Sequence, residues 1–134
     1  MASIAAIESM DHRDATKLRK AGVRTTESLL RSGATRSGRR RLAKETDVAE
    51  RDILSWANRA DMMRIKGIGS EYADLLEATG VDTIRELRRR NAERLLEAMT
   101  DTNLRRRVIR RLPTDGMVRG WIEAAKVLEP LVTH

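Results

Sequence analysis

The 134-residue chain contains no cysteine, which excludes disulfides, thiolate chemistry and cysteine-ligated metals. It has two histidines, one of them His134, so the ligand set of a zinc site is missing as well. Phenylalanine is absent, and Trp56, Tyr72 and Trp121 are the only aromatics. A core must therefore come from Leu, Ile, Val, Met and Ala. The same shortage removes the walls of a base-flipping pocket and the platforms for stacking a single strand. Two prolines and eight glycines are too few for a collagenous or low-complexity chain. No run approaches the roughly 18 apolar residues of a membrane span. The apolar start Ile4-Ala5-Ala6-Ile7 is cut by Glu8 and has no basic leader, so it does not read as a signal peptide, and a cytoplasmic location is expected. No stretch alternates apolar and polar residues long enough to argue a strand. There is no phosphate-binding loop, no His-Glu pair and no nucleophile elbow, so the chain is read as non-enzymatic, with no cofactor.

What the sequence has is positive charge in blocks. Lysine and arginine number 27 against 20 acids, a net charge of +7. Residues 31–44 carry six bases and no acid, residues 85–94 five bases and two acids, and residues 105–111 five bases and no acid. Outside these blocks the chain is net acidic. Such patches attract polyanions, and the guanidinium fork suits phosphate. On a helical projection of residues 103–112, Leu104, Val108, Ile109 and Leu112 share one side and Arg106, Arg107 and Arg110 the other, with Arg105 unexplained inside the apolar arc. Arg40, Arg41 and Lys44 likewise point away from Leu42 and Ala43. Both blocks are expected to be helices with an outward basic stripe. Solvated helix faces without a ligand are the competing reading.

The chain also repeats itself. At a shift of 58, Ile7-Glu8-Ser9-Met10-Asp11 aligns with Ile65-Lys66-Gly67-Ile68-Gly69, Ala15 with Ala73, Leu18 with Leu76, Gly22-Val23 with Gly80-Val81, Thr25 with Thr83 and Leu29 with Leu87. Trp56 and Ala60 pair with Trp121 and Ala125 after a slightly longer insertion. Each copy reads as a hairpin, a helix, a Gly-Val turn, a short helix, a basic helix and a tryptophan helix. Thr83-Ile84-Arg85-Glu86 reads as a capping box, Asn91 and Thr114 as N-caps, and Gly22 and Gly80 as left-handed residues past helix ends. Pro113 separates the last basic helix from the Trp121 helix. About eight to ten short helices are expected from these caps and breakers. The expected fold is all-α: two pseudo-symmetric repeats, about residues 4–62 and 63–128, packed as one domain over 1–134, with a tail at 129–134. Trp56 and Trp121 are expected to be core anchors.

Residues 63–76, Met-Arg-Ile-Lys-Gly-Ile-Gly-Ser-Glu-Tyr-Ala-Asp-Leu-Leu, place two glycines around an isoleucine ahead of a helix with small Ala73 and apolar Leu75 and Leu76. The glycines are read as permitting backbone angles forbidden to a side chain, Ile68 as a plug and Ala73 as a close-approach site. The second helix would begin near Gly69 or Ser70, and its free amides and positive dipole end can hold a phosphate. This segment resembles the helix-hairpin-helix motif. From about residue 7 to 126 the chain is similar to a domain family of unknown function built of tandem helix-hairpin-helix units. The similarity rests on Gly80-Val81-Asp82-Thr83, the Arg-Ile-Lys-Gly-Ile-Gly segment and the two tryptophan helices. It implies that fold, and a hairpin that grips nucleic-acid backbone without reading sequence; hairpins of this superfamily can also hold a monovalent cation on backbone carbonyls.

The chain departs from the pattern in two places. Ser70 and Glu71 stand where many DNA-binding hairpins have a base, and residues 64–82 carry two bases against four acids. In the first copy Ser9-Met10-Asp11 replaces Gly-Ile-Gly, and Asp11 occupies the anion position, or serves as an N-cap. Two functions follow. One is a sequence-independent nucleic-acid module, with duplex DNA favoured, gripping through Lys66, Gly67, Ile68, Gly69 and Ser70 and through Arg36, Arg39, Arg40, Arg41, Arg88, Arg89, Arg90, Arg106, Arg107 and Arg110. The alternative is a protein-interaction or scaffold module whose hairpins are purely structural. Neither reading fixes the oligomeric state.

Overall fold

The computed structural model describes residues 2–7 and 9–134; Glu8, the interruption in the apolar start, lies outside them. Among the described residues there are eight α-helices and no strand. The helices are α1 (His12–Lys20), α2 (Thr26–Gly33), α3 (Arg36–Thr46), α4 (Glu50–Met62), α5 (Ser70–Ala78), α6 (Ile84–Arg88), α7 (Ala92–Arg106) and α8 (Asp115–Val127). None is long and apolar enough to cross a membrane. The chain divides into two compact units, one of Met1–Asp61 with Leu131–His134, the other of Met62–Pro130.

In the first unit a 3-10 turn (Ile4–Ala6) precedes α1. Asp11 caps α1 by accepting from the Asp14 amide at 2.8 Å. The helix ends as the sequence suggests: Gly22 has φ +88°, its amide bonds the Arg19 carbonyl at 3.0 Å, and the Val23 amide reaches back to the Leu18 carbonyl at 2.9 Å. This six-to-one closure requires the left-handed residue. Thr25 then caps α2 in a full reciprocal box with Ser28, whose short side chain the sequence pattern did not flag. Trp56 is buried among Ile4, Leu18, Leu29, Leu42, Ile53 and Ala57. The last residues return to this unit: Val132 is buried in its core, and the Leu131 and Val132 amides donate to Asp61 Oδ2 at 3.0 and 3.2 Å. The Thr133 amide donates to the Ala34 carbonyl at 2.8 Å.

In the second unit α5 ends with the same bonds, Gly80 amide to Glu77 carbonyl at 2.9 Å and Val81 amide to Leu76 carbonyl at 2.8 Å, with Gly80 at φ +100°. Thr83 caps α6 through the Glu86 amide at 3.1 Å. The expected box is half made, because the Glu86 carboxylate pairs with Arg90 at 3.2 Å instead of reaching back. Asn91 and Thr114 cap α7 and α8 as read from sequence. Trp121 is buried against Tyr72, their ring centroids 5.1 Å apart.

The expected helix over 103–112 is formed only as far as Arg106, as the end of α7. α7 stops at Arg106, Arg107 is left-handed at φ +51°, and Leu104, expected on the buried side, is 74% exposed. The cause is Asn103. Its carboxamide accepts from the Ile109 amide at 3.0 Å and donates to the Ile109 carbonyl at 3.1 Å. A short amide side chain that bonds main chain competes with helix continuation, and here it wins. Arg105, which falls inside the projected apolar arc, is exposed in the last turn of α7.

Candidate nucleic-acid interface

The turn between Met62 and Ser70 is tight. The Ile65 amide bonds the Met62 carbonyl at 3.1 Å and the Ile68 amide bonds the Ile65 carbonyl at 3.0 Å. Ile65, Ile68 and Ala73 are buried in the second unit's core, whereas Lys66, Gly67 and Gly69 are exposed. The two glycines are not equivalent. Gly67 has φ +93°, and a Cβ built on it would stand 3.0 Å from Trp121 Nε1. Gly69 is the N-cap of α5 at φ −92° and ψ −170°, ordinary extended backbone, and a Cβ there would meet nothing within 4 Å. The expectation that both positions need glycine is corrected: only Gly67 does.

Gly69 also leaves α5 without a side-chain cap. The first-turn amides, which have no intrahelical acceptor, face an open position, and the helix dipole adds partial positive charge there. Ser70 Oγ is buried beside them with no hydrogen-bond partner. Glu71, exposed in the same turn, contributes the opposing charge. In the first unit the corresponding helix end is closed by the Asp11 carboxylate, the N-cap alternative of the two read from sequence.

The arginines divide by what they already hold. Arg39 is only 4% exposed, and its guanidinium donates to the carbonyls of Gly33 at 2.8 Å, Ala34 at 3.0 Å and Thr133 at 2.7 Å. Burial, with Arg36 adding to it, lowers its pKa from the ordinary arginine value. Arg88 donates to the Ala125 and Leu128 carbonyls, both at 3.0 Å, closing the end of α8. Arg90 is held by Glu86. These three act within their own units. Arg36, Arg41, Arg89, Arg106, Arg107 and Arg110 are exposed, and among the described residues none has an ion pair or a side-chain hydrogen bond. Arg40 is exposed and stands 3.9 Å from Glu50, a contact worth little in water.

Three features lie beyond the residues singled out from sequence. Arg105 and Arg111 are exposed like their neighbours, and among the described residues neither has an ion pair. Arg31 joins Arg41, Ser32, Thr35 and Ser37 around a cavity of about 320 Å³ beside the start of α3. Gly38 and Glu45 line the same cavity, and a Cβ on Gly38 would collide with the Ser32 carbonyl oxygen.

Comparison with known proteins finds one family model, described as a domain of unknown function, matching residues 8–128. No curated protein and no solved structure matches the chain. The match spans nearly the whole sequence, and the chain belongs to this family, DUF4332.

Proposed function

We propose that the chain is a non-catalytic module that binds the backbone of duplex DNA without reading its sequence, and that its two units are tandem helix-hairpin-helix repeats. The supporting observation is the set of exposed arginines, Arg36, Arg41, Arg89, Arg106, Arg107 and Arg110, none of which has a carboxylate partner among the described residues. Guanidinium groups left without counter-charges are suited to release counterions from phosphates, the term that dominates sequence-independent binding. The uncapped start of α5 adds a set of main-chain donors of the kind that hold phosphate at helix ends. The repeat reading is supported by the identical Gly-Val closures of α1 and α5 and by the matched Ile7–Met10 and Ile65–Ile68 turns, each held by an amide-to-carbonyl bond of 3.1 and 3.0 Å.

Gly69→Asp tests the role of the hairpin. The position accepts a side chain, and an aspartate there would cap α5 as Asp11 caps α1, stabilising the helix by roughly a few tenths of a kcal/mol. The variant is expected to melt at a higher temperature than the parent and to bind duplex about tenfold more weakly, by filling and repelling the phosphate position. A variant more stable than the parent and equal to it in binding would make the hairpin purely structural. The packing of Gly67 under Trp121 favours that second reading, a scaffold for a protein partner. A partner retained after nuclease treatment would support it.

A further inference from the structure

We infer that residues 103–111 form a pre-shaped wedge for a duplex groove, with Leu104 inserted between base steps and the flanking arginines on phosphates; this rests on the backbone-binding reading above. The segment is held at its base. The Asn103 carboxamide makes both bonds to the Ile109 main chain, Ile109 is buried in the core, and the Arg107 amide bonds the Asn103 carbonyl at 2.8 Å. Arg107, a β-carbon residue held left-handed at φ +51°, carries local strain that the Asn103 clamp sustains.

With both ends fixed, the residues between them present an unusual surface. Leu104 is 74% exposed and is followed by Arg105, Arg106 and Arg107, with Arg110 and Arg111 beyond the buried Ile109. All five arginines are exposed, none has an ion pair among the described residues, and the segment holds no acid. An exposed leucine alone needs no explanation. One set among five exposed cations at the clamped C-terminal end of α7 has the chemistry of a groove wedge, in which an apolar side chain unstacks a base step and arginines hold the deformed backbone. The negative potential of a narrow groove is the complement to this charge.

The test uses the full chain and a short duplex labelled at both ends for energy transfer, with affinity followed across a salt series. Leu104→Ala is expected to bind about tenfold more weakly with the salt slope unchanged, and to lose most of the end-to-end change seen with the parent. Arg106→Ala is expected to reduce the slope by about one. Leu104→Met, which keeps an apolar side chain, is expected to retain the bend. Because Leu104 is exposed, far-ultraviolet circular dichroism of the variants should match the parent. A Leu104→Ala protein that binds and bends like the parent would overturn the wedge while leaving backbone binding intact. A parent that fails to bind duplex at low salt would overturn both. A parent that prefers phosphatidylserine vesicles to duplex would assign the segment to a lipid surface and overturn the wedge.

Discussion

Replacing Gly67 with alanine is expected to lower the unfolding free energy by about 2–3 kcal/mol, while the same change at Gly69 leaves it within about 0.5 kcal/mol. The two positions are separated by one residue and look alike in the sequence. At Gly67 the backbone is at φ +93°, where any L side chain is strained by roughly 1–2 kcal/mol. The added carbon would also stand 3.0 Å from the Trp121 indole nitrogen. That ring is 2% exposed and packed on Tyr72, so it has little room to withdraw, and overpacking of this kind adds about 1 kcal/mol. At Gly69 the backbone is extended and the space is open. Urea unfolding of the two variants, followed by circular dichroism and tryptophan emission, separates the cases. Equal losses at both positions would contradict this account of the turn.

Arg39→Ala is expected to cost about 3 kcal/mol, and Arg40→Ala and Arg41→Ala less than about 0.5 kcal/mol each. The three arginines are consecutive on α3, yet Arg39 alone is buried, with three carbonyls as acceptors. Hydrogen bonds to a charged donor contribute about 1.5–3 kcal/mol each, and partial rehydration of the freed carbonyls brings the total below their sum. Because the acceptors include Thr133, the loss should loosen residues 131–134 first, and hydrogen exchange at the Val132 and Thr133 amides should accelerate before that of α4. Lysine is expected to restore little, since one ammonium does not reproduce the spread of the guanidinium fork. An Arg39→Ala protein as stable as Arg40→Ala would show that the guanidinium has no structural task.

These contrasts mark where local sequence logic holds. The ends of α1 and α5 were readable because a left-handed closure has few solutions, usually a Gly followed by an apolar residue that packs inward, here Val23 and Val81. Thr83, Asn91 and Thr114 were readable for a similar reason, since a helix start needs an acceptor within three residues. Burial of both tryptophans followed from the scarcity of other large side chains. Arg39 was not readable. A base in a run of bases looks solvated, and only the return of Thr133, distant in sequence, gives it an interior partner. Leu104 failed for the opposite reason. The apolar spacing was helical, but a side chain-to-main chain clamp at Asn103 stopped the helix before the spacing took effect. The candidate interface was legible as charge composition and not as geometry: the sequence located the basic blocks, and the fold decided which guanidinium groups remain unoccupied.

Association with two duplexes of unrelated sequence, measured between about 50 and 200 mM salt, tests the central claim most directly. Backbone binding predicts equal affinities for the two duplexes and a straight fall of log K against log salt. With about five phosphates neutralised, that fall is roughly 10²–10³-fold across the range. Absence of binding at the lowest salt, or an affinity indifferent to salt, would contradict it.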